Sequence, residues 1–233
     1  MKLAGVDGCK NGWIVALAKA WPCSTSPIQI RFCSNFEEVL QATTACRAVA
    51  VDMPIGLPDD DDAQPRACDL AAQHALGPQR SSIFLAPPRR ALEAQDPREF
   101  QRIHREIRGV GAGLPVWGIV PKMREVNLAF EQDPALQERV FEFHPELTWR
   151  RLAGSAQLAS KKTAAGILDR IAILNRTAGQ WTPAGPAYEI PGKPAIDDVL
   201  DAISGLAAAQ AFLNTNRPDA PRNSRGIRME IWH

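Results

Sequence analysis

Four aspartates lie at positions where carboxylate side chains often serve as metal ligands or catalytic groups. Asp7 ends the first apolar run of the chain, and Asp52 ends a later run of alanines and valines. Asp198 and Asp201 are three residues apart in a stretch with helical periodicity, so both carboxylates project from one face of that helix. Magnesium and manganese prefer carboxylate oxygens as ligands. We therefore take the four residues as candidate metal ligands and candidate catalytic residues.

Each of these aspartates also has a purely structural interpretation. Asp7 precedes Gly8 and could be a turn residue that hydrogen-bonds to its own loop. Asp198 lies in the first turn of its predicted helix, where acidic side chains complement the helix dipole. Asp201 fits that explanation less well, because small and apolar residues surround it. Four carboxylates packed together without a cation would repel one another and raise at least one pKa, a cost that a divalent cation removes.

Apolar patterns predict the elements that position the aspartates. Three strands in a meander are followed by a helix and a buried strand, which indicates an α/β protein. The expected elements are a hairpin around 8–12, strands at 28–32, 48–51 and 138–143, and helices at 36–42, 164–175 and 197–213. In the helix from Ala164, an apolar stripe is expected at Ile167, Leu168, Ile171 and Leu174. Ligand sites in open α/β sheets lie beyond the carboxyl ends of strands, where Asp7 and Asp52 stand.

The middle of the chain has a different character. Charged segments with helical patterns alternate there with proline- and glycine-rich breaks, at 77–90 and 110–115 for example. We expect a helical insertion over 59–135 within a single domain that spans residues 1–233. The proline- and arginine-rich stretch 80–90 is expected to be an ordered loop, and 226–232 to add a final edge strand.

Bulk composition excludes several classes of protein. The formal net charge of +1 argues against a polybasic nucleic-acid coat but allows a local basic groove. The five cysteines are scattered and form no C-x-x-C pair, and the four histidines lack metal-ligand spacing. No apolar run is long enough to span a membrane. A cytoplasmic protein without a membrane partner is expected, and the sequence does not give its oligomeric state.

Five motifs resemble those of the domain-of-unknown-function 429 family, which is described as predicted nucleases with an RNase H-like fold. They are GVDGCKNGW at 5–13, VDMPIGLP at 51–58, EFHPE at 142–146, SKKT at 160–163 and DDVLDA at 197–202. The resemblance runs from near residue 3 to about residue 210. It implies an RNase H-like mixed sheet of five strands, three antiparallel and then two parallel, with helices on both faces.

More distantly, the layout is similar to Holliday-junction resolvases of the RNase H-like class. Those enzymes carry acids on the first strand, at the fourth strand and in a pair on the last helix, the positions of Asp7, Asp52, Asp198 and Asp201. The fourth-strand acid is aspartate here rather than glutamate, and the resolvases lack the helical insertion. Glu142 and Glu146 lie in a motif of the 429 family itself.

Acidic and basic residues outside the four aspartates have two interpretations each. Glu142 and Glu146 are further candidate metal ligands, although Glu146 could equally complement the dipole of the helix that it begins. Lys161 and Lys162 precede a predicted helix N-terminus and are candidates for binding a substrate phosphate, or else are solvated. Arg80 could likewise bind phosphate or brace its own loop.

These observations favour a nuclease or phosphodiesterase that uses Mg²⁺ or Mn²⁺ and acts on nucleic acid or another phosphodiester. One alternative is a phosphate- or nucleotide-binding protein of the ATPase or kinase type, although enzymes of that type use two such domains. The other is a non-catalytic binding module, against which the four intact acids weigh.

Overall fold

The computed structural model describes residues 2–23, 27–154, 158–178 and 190–233. Its internal contacts divide the chain into two compact units. The first unit contains 1–52, 138–218 and 232–233, and the second contains 53–137 and 219–231. The expected insertion at 59–135 lies entirely within the second unit. The single domain and the insertion boundaries both stay predictions.

Five strands form one mixed sheet in the first unit, in the order β3-β2-β1-β4-β5. They are β1 (Leu3–Cys9), β2 (Gly12–Ala18), β3 (Gln29–Cys33), β4 (Ala48–Val51) and β5 (Val140–Glu142). The first three strands pair antiparallel, whereas β4 lies parallel to β1 and β5 parallel to β4. The prediction of three antiparallel strands followed by two parallel ones is confirmed.

Helices cover both faces of this sheet. They are α1 (Phe36–Ala42), α5 (Pro145–Leu152), α6 (Ala164–Thr177) and α7 (Ile196–Asn214). Phe36 of α1 packs on Trp13 of β2, with ring centroids 5.3 Å apart. On the opposite face, α7 packs against β1, β2 and β4 and joins the main hydrophobic core. The sheet is therefore the middle of three layers.

Side chains at the helix ends and the apolar content of α7 explain these boundaries. Asn35 caps α1 by accepting the backbone N–H of Glu38 at 2.9 Å, and Thr163 caps α6 by accepting that of Gly166 at 3.1 Å. Helix α7 is buried over most of its circumference, as its run of alanine, leucine and isoleucine requires. Such a helix belongs under neighbouring elements rather than at the surface.

Two glycines let α7 lie unusually close to β1. A Cβ atom on Gly5 would stand 2.1 Å from the backbone oxygen of Ala202 and 2.8 Å from the Cα of Gly205. A Cβ on Gly205 would stand 2.7 Å from the Cα of Gly5. No larger residue fits at either position without a shift of the helix. This contact fixes the separation between the strand that ends near Asp7 and the helix that carries Asp201.

The second unit is built mainly from helices. They are α2 (Ala67–Leu76), α3 (Pro97–Arg108) and α4 (Leu114–Gln132), with 3₁₀ helices at Gly77–Ser82 and Arg89–Glu93. Arg66 and the fully buried Asp69 form an ion pair, and Asp69 also accepts the backbone N–H of Ala86 at 2.9 Å. This bond ties α2 to the chain that follows it.

Two expectations from the sequence need correction, and a third holds for only part of its range. The stretch 80–90 was expected to be an ordered loop; residues 83–88 form no helix or strand, but its two ends lie in the 3₁₀ helices. The segment 226–232 forms no strand; Trp232 makes only a single parallel bridge to Phe143. Leu168 is 63% exposed, and the buried side of α6 includes Arg170 instead. Among the described residues, no helix is long and apolar enough to cross a membrane.

Candidate active site

Asp7 lies within β1 and Asp52 directly follows β4, side by side at the point where the parallel pairing of the two strands ends. The register pairs Val6 with Val51, and the backbone N–H of Asp52 donates to the oxygen of Val6 at 2.9 Å. Alternate residues of a strand point to the same face, so Asp7 shares the face of Gly5, against which α7 packs. The two aspartates are thus held on adjacent strands beneath the N-terminal half of α7.

Asp201 faces this pair from α7 and is fully buried. It lies one helical turn before Gly205, on the side of α7 that contacts β1. Its Oδ1 accepts a hydrogen bond from Nε1 of Trp149 at 2.8 Å, and its Oδ2 accepts one from Nζ of Lys161 at 2.5 Å. Both carboxylate oxygens therefore have a donor, which satisfies a charge that would otherwise be costly to bury.

Burial and mutual repulsion change the acidity of the strand-end pair. Burial raises the pKa of Asp7 well above its usual value, and the charges of Asp52, Asp201 and Asp198 raise it further. Burial also raises the pKa of Asp52, to about 7, although Lys161 and a hydrogen bond with Asp7 act in the opposite direction. Asp7 donates a hydrogen bond to Asp52, and both carboxyl groups keep their protons to a higher pH than an ordinary aspartate does.

Lys161 is the resident cation of the cluster. Burial opposes its charge, but Asp201, Asp52 and Asp7 outweigh burial and raise the pKa of the ammonium above its ordinary value. Its side chain remains 33% exposed, so the ammonium connects the buried carboxylates with solvent. One ammonium and one proton offset two of the three negative charges of Asp7, Asp52 and Asp201 and leave one net negative charge.

Asp198 takes a different position from Asp201. Its Oδ2 accepts the backbone N–H of Ala195 at 3.0 Å, so it caps the start of α7 as the structural interpretation expected. Its carboxylate nevertheless contributes to raising the pKa of Asp7 and has a raised pKa itself, chiefly through burial. Beside it, Asp197 forms an ion pair with Lys162, whose side chain is 69% exposed. Asp198 thus lies at the edge of the cluster.

The two candidate glutamates have separate surroundings. Glu146 binds Arg170 in a bidentate ion pair, with both N–O distances 2.8 Å. Its charge still contributes to the raised pKa of Asp52, so Glu146 lies within electrostatic range of the cluster. Glu142 is buried at the end of β5, and its backbone oxygen accepts the N–H of Trp232 at 2.9 Å.

Two of the three candidate phosphate-binding residues belong to the first unit and one to the second. Lys161 belongs to the aspartate cluster, and Lys162 pairs with Asp197 beside it. Arg80 belongs to the second unit, where it is exposed in a 3₁₀ helix. The substrate-binding roles of all three stay predictions.

Sequence reasoning missed two residues that organise the site. Trp149 orients Asp201, and Arg170 holds Glu146 while its guanidinium lies 5.8 Å from the centroid of the Trp149 ring. Both are almost completely buried. A tryptophan in the charged, amphipathic helix α5 was the available signal for one of them. Arg170 could have been noticed because it is a charged residue at a position where the apolar periodicity of α6 predicts burial.

The cluster contains the carboxylate ligands that magnesium and manganese prefer, but its side chains are not arranged around a metal position. Among the residues that the structure describes, no group of three or more His, Cys, Asp or Glu side chains is arranged to hold a metal ion. In this arrangement Trp149 and Lys161 donate to the two oxygens of Asp201, and burial raises the pKa of Asp7. The carboxylate ligands themselves, whose pKa values are raised chiefly by burial and further by one another, are of the type that a hard divalent cation prefers.

Comparison with known proteins identifies one family. The family described as a protein of unknown function (DUF429) matches residues 5–223. That range includes every residue of the cluster. No curated protein and no solved structure matches the chain.

Proposed function

We propose that this chain, which belongs to the family described as a protein of unknown function (DUF429), hydrolyses phosphodiester bonds with the help of magnesium or manganese. Nucleic acid is the proposed substrate, and another phosphodiester is the broader alternative. One observation carries the proposal. Asp7 of β1, Asp52 after β4 and Asp201 of α7 lie together at one end of the parallel strands, and the pKa values of Asp7 and Asp52 are raised.

Several carboxylates placed close together raise the free energy of the folded state. A role in binding a cation explains this arrangement better than a role in folding does. Two adjacent carboxyl groups on parallel strands destabilise the folded state unless a proton or a cation lies between them. An apolar or amide side chain in either place would avoid that cost. The presence of acids at Asp7, Asp52 and Asp201 therefore supports a role in binding a cation.

The residues that would hold the metal are Asp7, Asp52, Asp198 and Asp201. A divalent cation bound there would stabilise the charge that develops on the attacking and leaving oxygens of a phosphodiester. For this, Asp7 must give up its proton and the carboxylate of Asp201 must exchange at least one of its present donors. Glu142 and Glu146 remain further candidates, with Glu146 already engaged by Arg170.

Lys161 would change partners during this exchange. An ammonium has three N–H donors, and the exposed part of the side chain can reach a substrate at the edge of the site. In the proposed complex Nζ donates to a phosphate oxygen and keeps its charge close to the aspartates. Trp149 then becomes the donor that holds Asp201 in place, because its indole is fixed in the core.

The fold and the composition support the same proposal. The strand order agrees with the sheet that the sequence resemblance implies, and this agreement supports catalytic roles for Asp7 and Asp52. The near-neutral net charge indicates that contacts with nucleic acid would be few, so binding would depend only moderately on salt. All five cysteines are free, which fits the proposed cytoplasmic location.

A substrate panel tests the proposal. Single-stranded, duplex, hybrid and branched nucleic acids are incubated with the protein and Mn²⁺ or Mg²⁺. Wild-type protein should cleave at least one substrate, and Asp7→Asn and Asp201→Asn should abolish cleavage with the fold retained. Asp169→Asn, on the exposed side of α6, is the matched control and should keep full activity.

Two outcomes would overturn the proposal. Cleavage that survives Asp7→Asn would show that the assigned site is not the catalytic one. Metal-dependent turnover of ATP, without cleavage of any nucleic acid or model phosphodiester, would favour a protein of the ATPase or kinase type.

A further inference from the structure

The second unit contains a cavity of about 320 Å³ that the proposed hydrolysis does not use. Its walls are mainly apolar and include Pro65, Ile83, Phe84, Val110 and Val116. Phe84 and Val110 are also two of the large hydrophobic residues that the described structure leaves exposed, at 37% and 63%. Cavities of this size and composition are typical of small-molecule sites.

Arg108 brings a positive charge to this apolar cavity. It lies at the end of α3 and lines the cavity together with His104. Its Nη2 donates to the backbone oxygen of Gln64 at 3.3 Å, but its Nε is buried and has no hydrogen-bond partner among the residues that the structure describes. A buried N–H group without an acceptor costs free energy, which an anionic ligand would recover by accepting from it.

The glycine-rich segment 110–113 forms a wall of the cavity and is held in place from α3. Nδ1 of His104 lies 2.7 Å from the backbone oxygen of Val110, and Nε2 of Gln101 donates to the oxygen of Ala112 at 2.7 Å. Burial lowers the pKa of His104, so its ring is neutral and Nδ1 carries the donated hydrogen. The wall is therefore built in advance, and Arg108 is the only cation among the side chains that line the cavity.

We propose that this cavity binds a small organic monoanion, a carboxylate with an apolar body, whose carboxylate accepts from Arg108. A single guanidinium in an apolar wall matches one negative charge. A phosphate dianion would need a second cation to offset its loss of hydration. Asp62, Asp69 and Arg66 all lie within electrostatic range of Arg108, and the two aspartates offset the positive charges of both arginines, which again favours a monoanion.

The volume of the cavity limits the size of the ligand. At about 30 Å³ per water, the space corresponds to about ten water molecules. A ligand with about ten non-hydrogen atoms therefore fits. Octanoate is a suitable probe, because it combines one carboxylate with a flexible apolar chain, and octanamide is its neutral counterpart.

Calorimetric titration of the full chain with octanoate and octanamide tests the proposal. Octanoate should bind saturably, and octanamide should bind at least about tenfold more weakly, because it lacks the charge that pairs with Arg108. Arg108→Gln should weaken octanoate binding by about the same factor and leave octanamide unchanged. Arg98→Gln, an exposed position on the same helix with the same change in charge, should bind both probes like the wild type.

A second variant keeps the test decisive if Arg108→Gln folds poorly. Phe84→Ala removes part of the apolar wall at a partly exposed position and should weaken both probes, because both use the same apolar body. Absence of saturable octanoate binding to wild-type protein would overturn the proposal. Equal affinity of octanoate for the wild type and a folded Arg108→Gln would overturn the assignment of the carboxylate to Arg108.

Discussion

Nζ of Lys161 donates to Oδ2 of Asp201 at 2.5 Å, in the middle of a cluster of aspartates. The lysine comes from the loop before α6, and the aspartate comes from a fully buried turn of α7. The ammonium therefore offsets part of the negative charge of the aspartate cluster. In our account a divalent cation and Lys161 are alternatives at Asp201, and this relationship leads to the first prediction.

Lys161→Met should destabilise the metal-free protein and make it depend more on divalent cations. The expected loss is about 2 kcal/mol, between the values for surface and buried ion pairs, because the lysine is one third exposed. Millimolar Mn²⁺ should then raise the melting temperature of the variant more than that of the wild type. Thermal melts with and without metal measure both effects.

Lys162→Met is the matched control for this prediction. Lys162 pairs with Asp197 but is 69% exposed, so its loss should change stability by less than 1 kcal/mol, as expected for a surface pair. Equal losses for the two lysine variants would contradict the view that Lys161 is the cation of the cluster.

Asp52 should make the protein less stable as the pH rises. Its pKa is raised to about 7 in the folded state, so the folded state binds more protons than the unfolded state between about pH 4 and pH 7. The stabilisation from this proton is complete below the unfolded pKa and is lost as the pH rises through about 7. The raised pKa of Asp7 acts in the same direction.

Urea denaturation without metal, at about pH 5 and about pH 8, tests this dependence. Asp52→Asn should gain stability relative to the wild type between the two pH values, because an amide does not ionise. Asp169→Asn should follow the wild type, since that side chain is exposed. A wild-type protein that gains stability relative to Asp52→Asn as the pH rises would show the opposite linkage.

Gly5→Ala should separate the helix from the strand and damage the site. The added Cβ would overlap the backbone of α7 at Ala202 and Gly205, and overpacking of this kind costs about 1–3 kcal/mol. The shift should also reduce the affinity for Mn²⁺, because Asp201 moves with α7 while Asp7 stays on β1. Denaturation and metal titration of the same sample report both effects.

Gly118→Ala provides the contrast. Gly118 lies inside α4, where an added Cβ meets nothing within 4 Å, so alanine should stabilise the protein by about 0.5–1 kcal/mol. A neutral or stabilising effect of Gly5→Ala would contradict the close contact between β1 and α7.

Glu146 should act through Arg170 rather than as an obligatory metal ligand. Arg170 is almost completely buried, and loss of its bidentate partner in Glu146→Gln should cost about 3–5 kcal/mol, as for other broken buried pairs. If the ion pair is its main role, the affinity of the folded variant for Mn²⁺ should change less than twofold. A loss of affinity as large as that of Asp7→Asn would instead make Glu146 a ligand.

The sequence predicted the sheet and the positions of its acids because both follow from local patterns. A helix between two apolar runs indicates a parallel pair, and Asp7 and Asp52 were expected at strand ends; Asp52 does follow β4 directly, whereas β1 continues two residues beyond Asp7 because those residues still pair with β2. The burial of Asp201 follows from the small and apolar residues around it in α7. Strand β5 was expected over 138–143 but covers only Val140–Glu142, because strand ends depend on pairing as well as composition.

Contacts between distant residues could not be predicted in the same way. Asp201 is hydrogen-bonded to Lys161 and Trp149, which lie 40 and 52 positions earlier in the chain. No local sequence pattern predicts such contacts. Apolar periodicity placed Leu168 on the buried side of α6, but that side accommodates Arg170 because Glu146 neutralises it. A buried ion pair therefore replaced the aliphatic contact that the pattern favoured.

Binding of Mn²⁺ to the wild type and to Asp7→Asn, followed by electron paramagnetic resonance, tests the central claim most directly. The account predicts saturable binding to the wild type and to Asp169→Asn, and a loss of at least about tenfold in affinity for Asp7→Asn, because one carboxylate ligand is removed. Equal affinity of Asp7→Asn and the wild type, or no saturable binding to either, would contradict it.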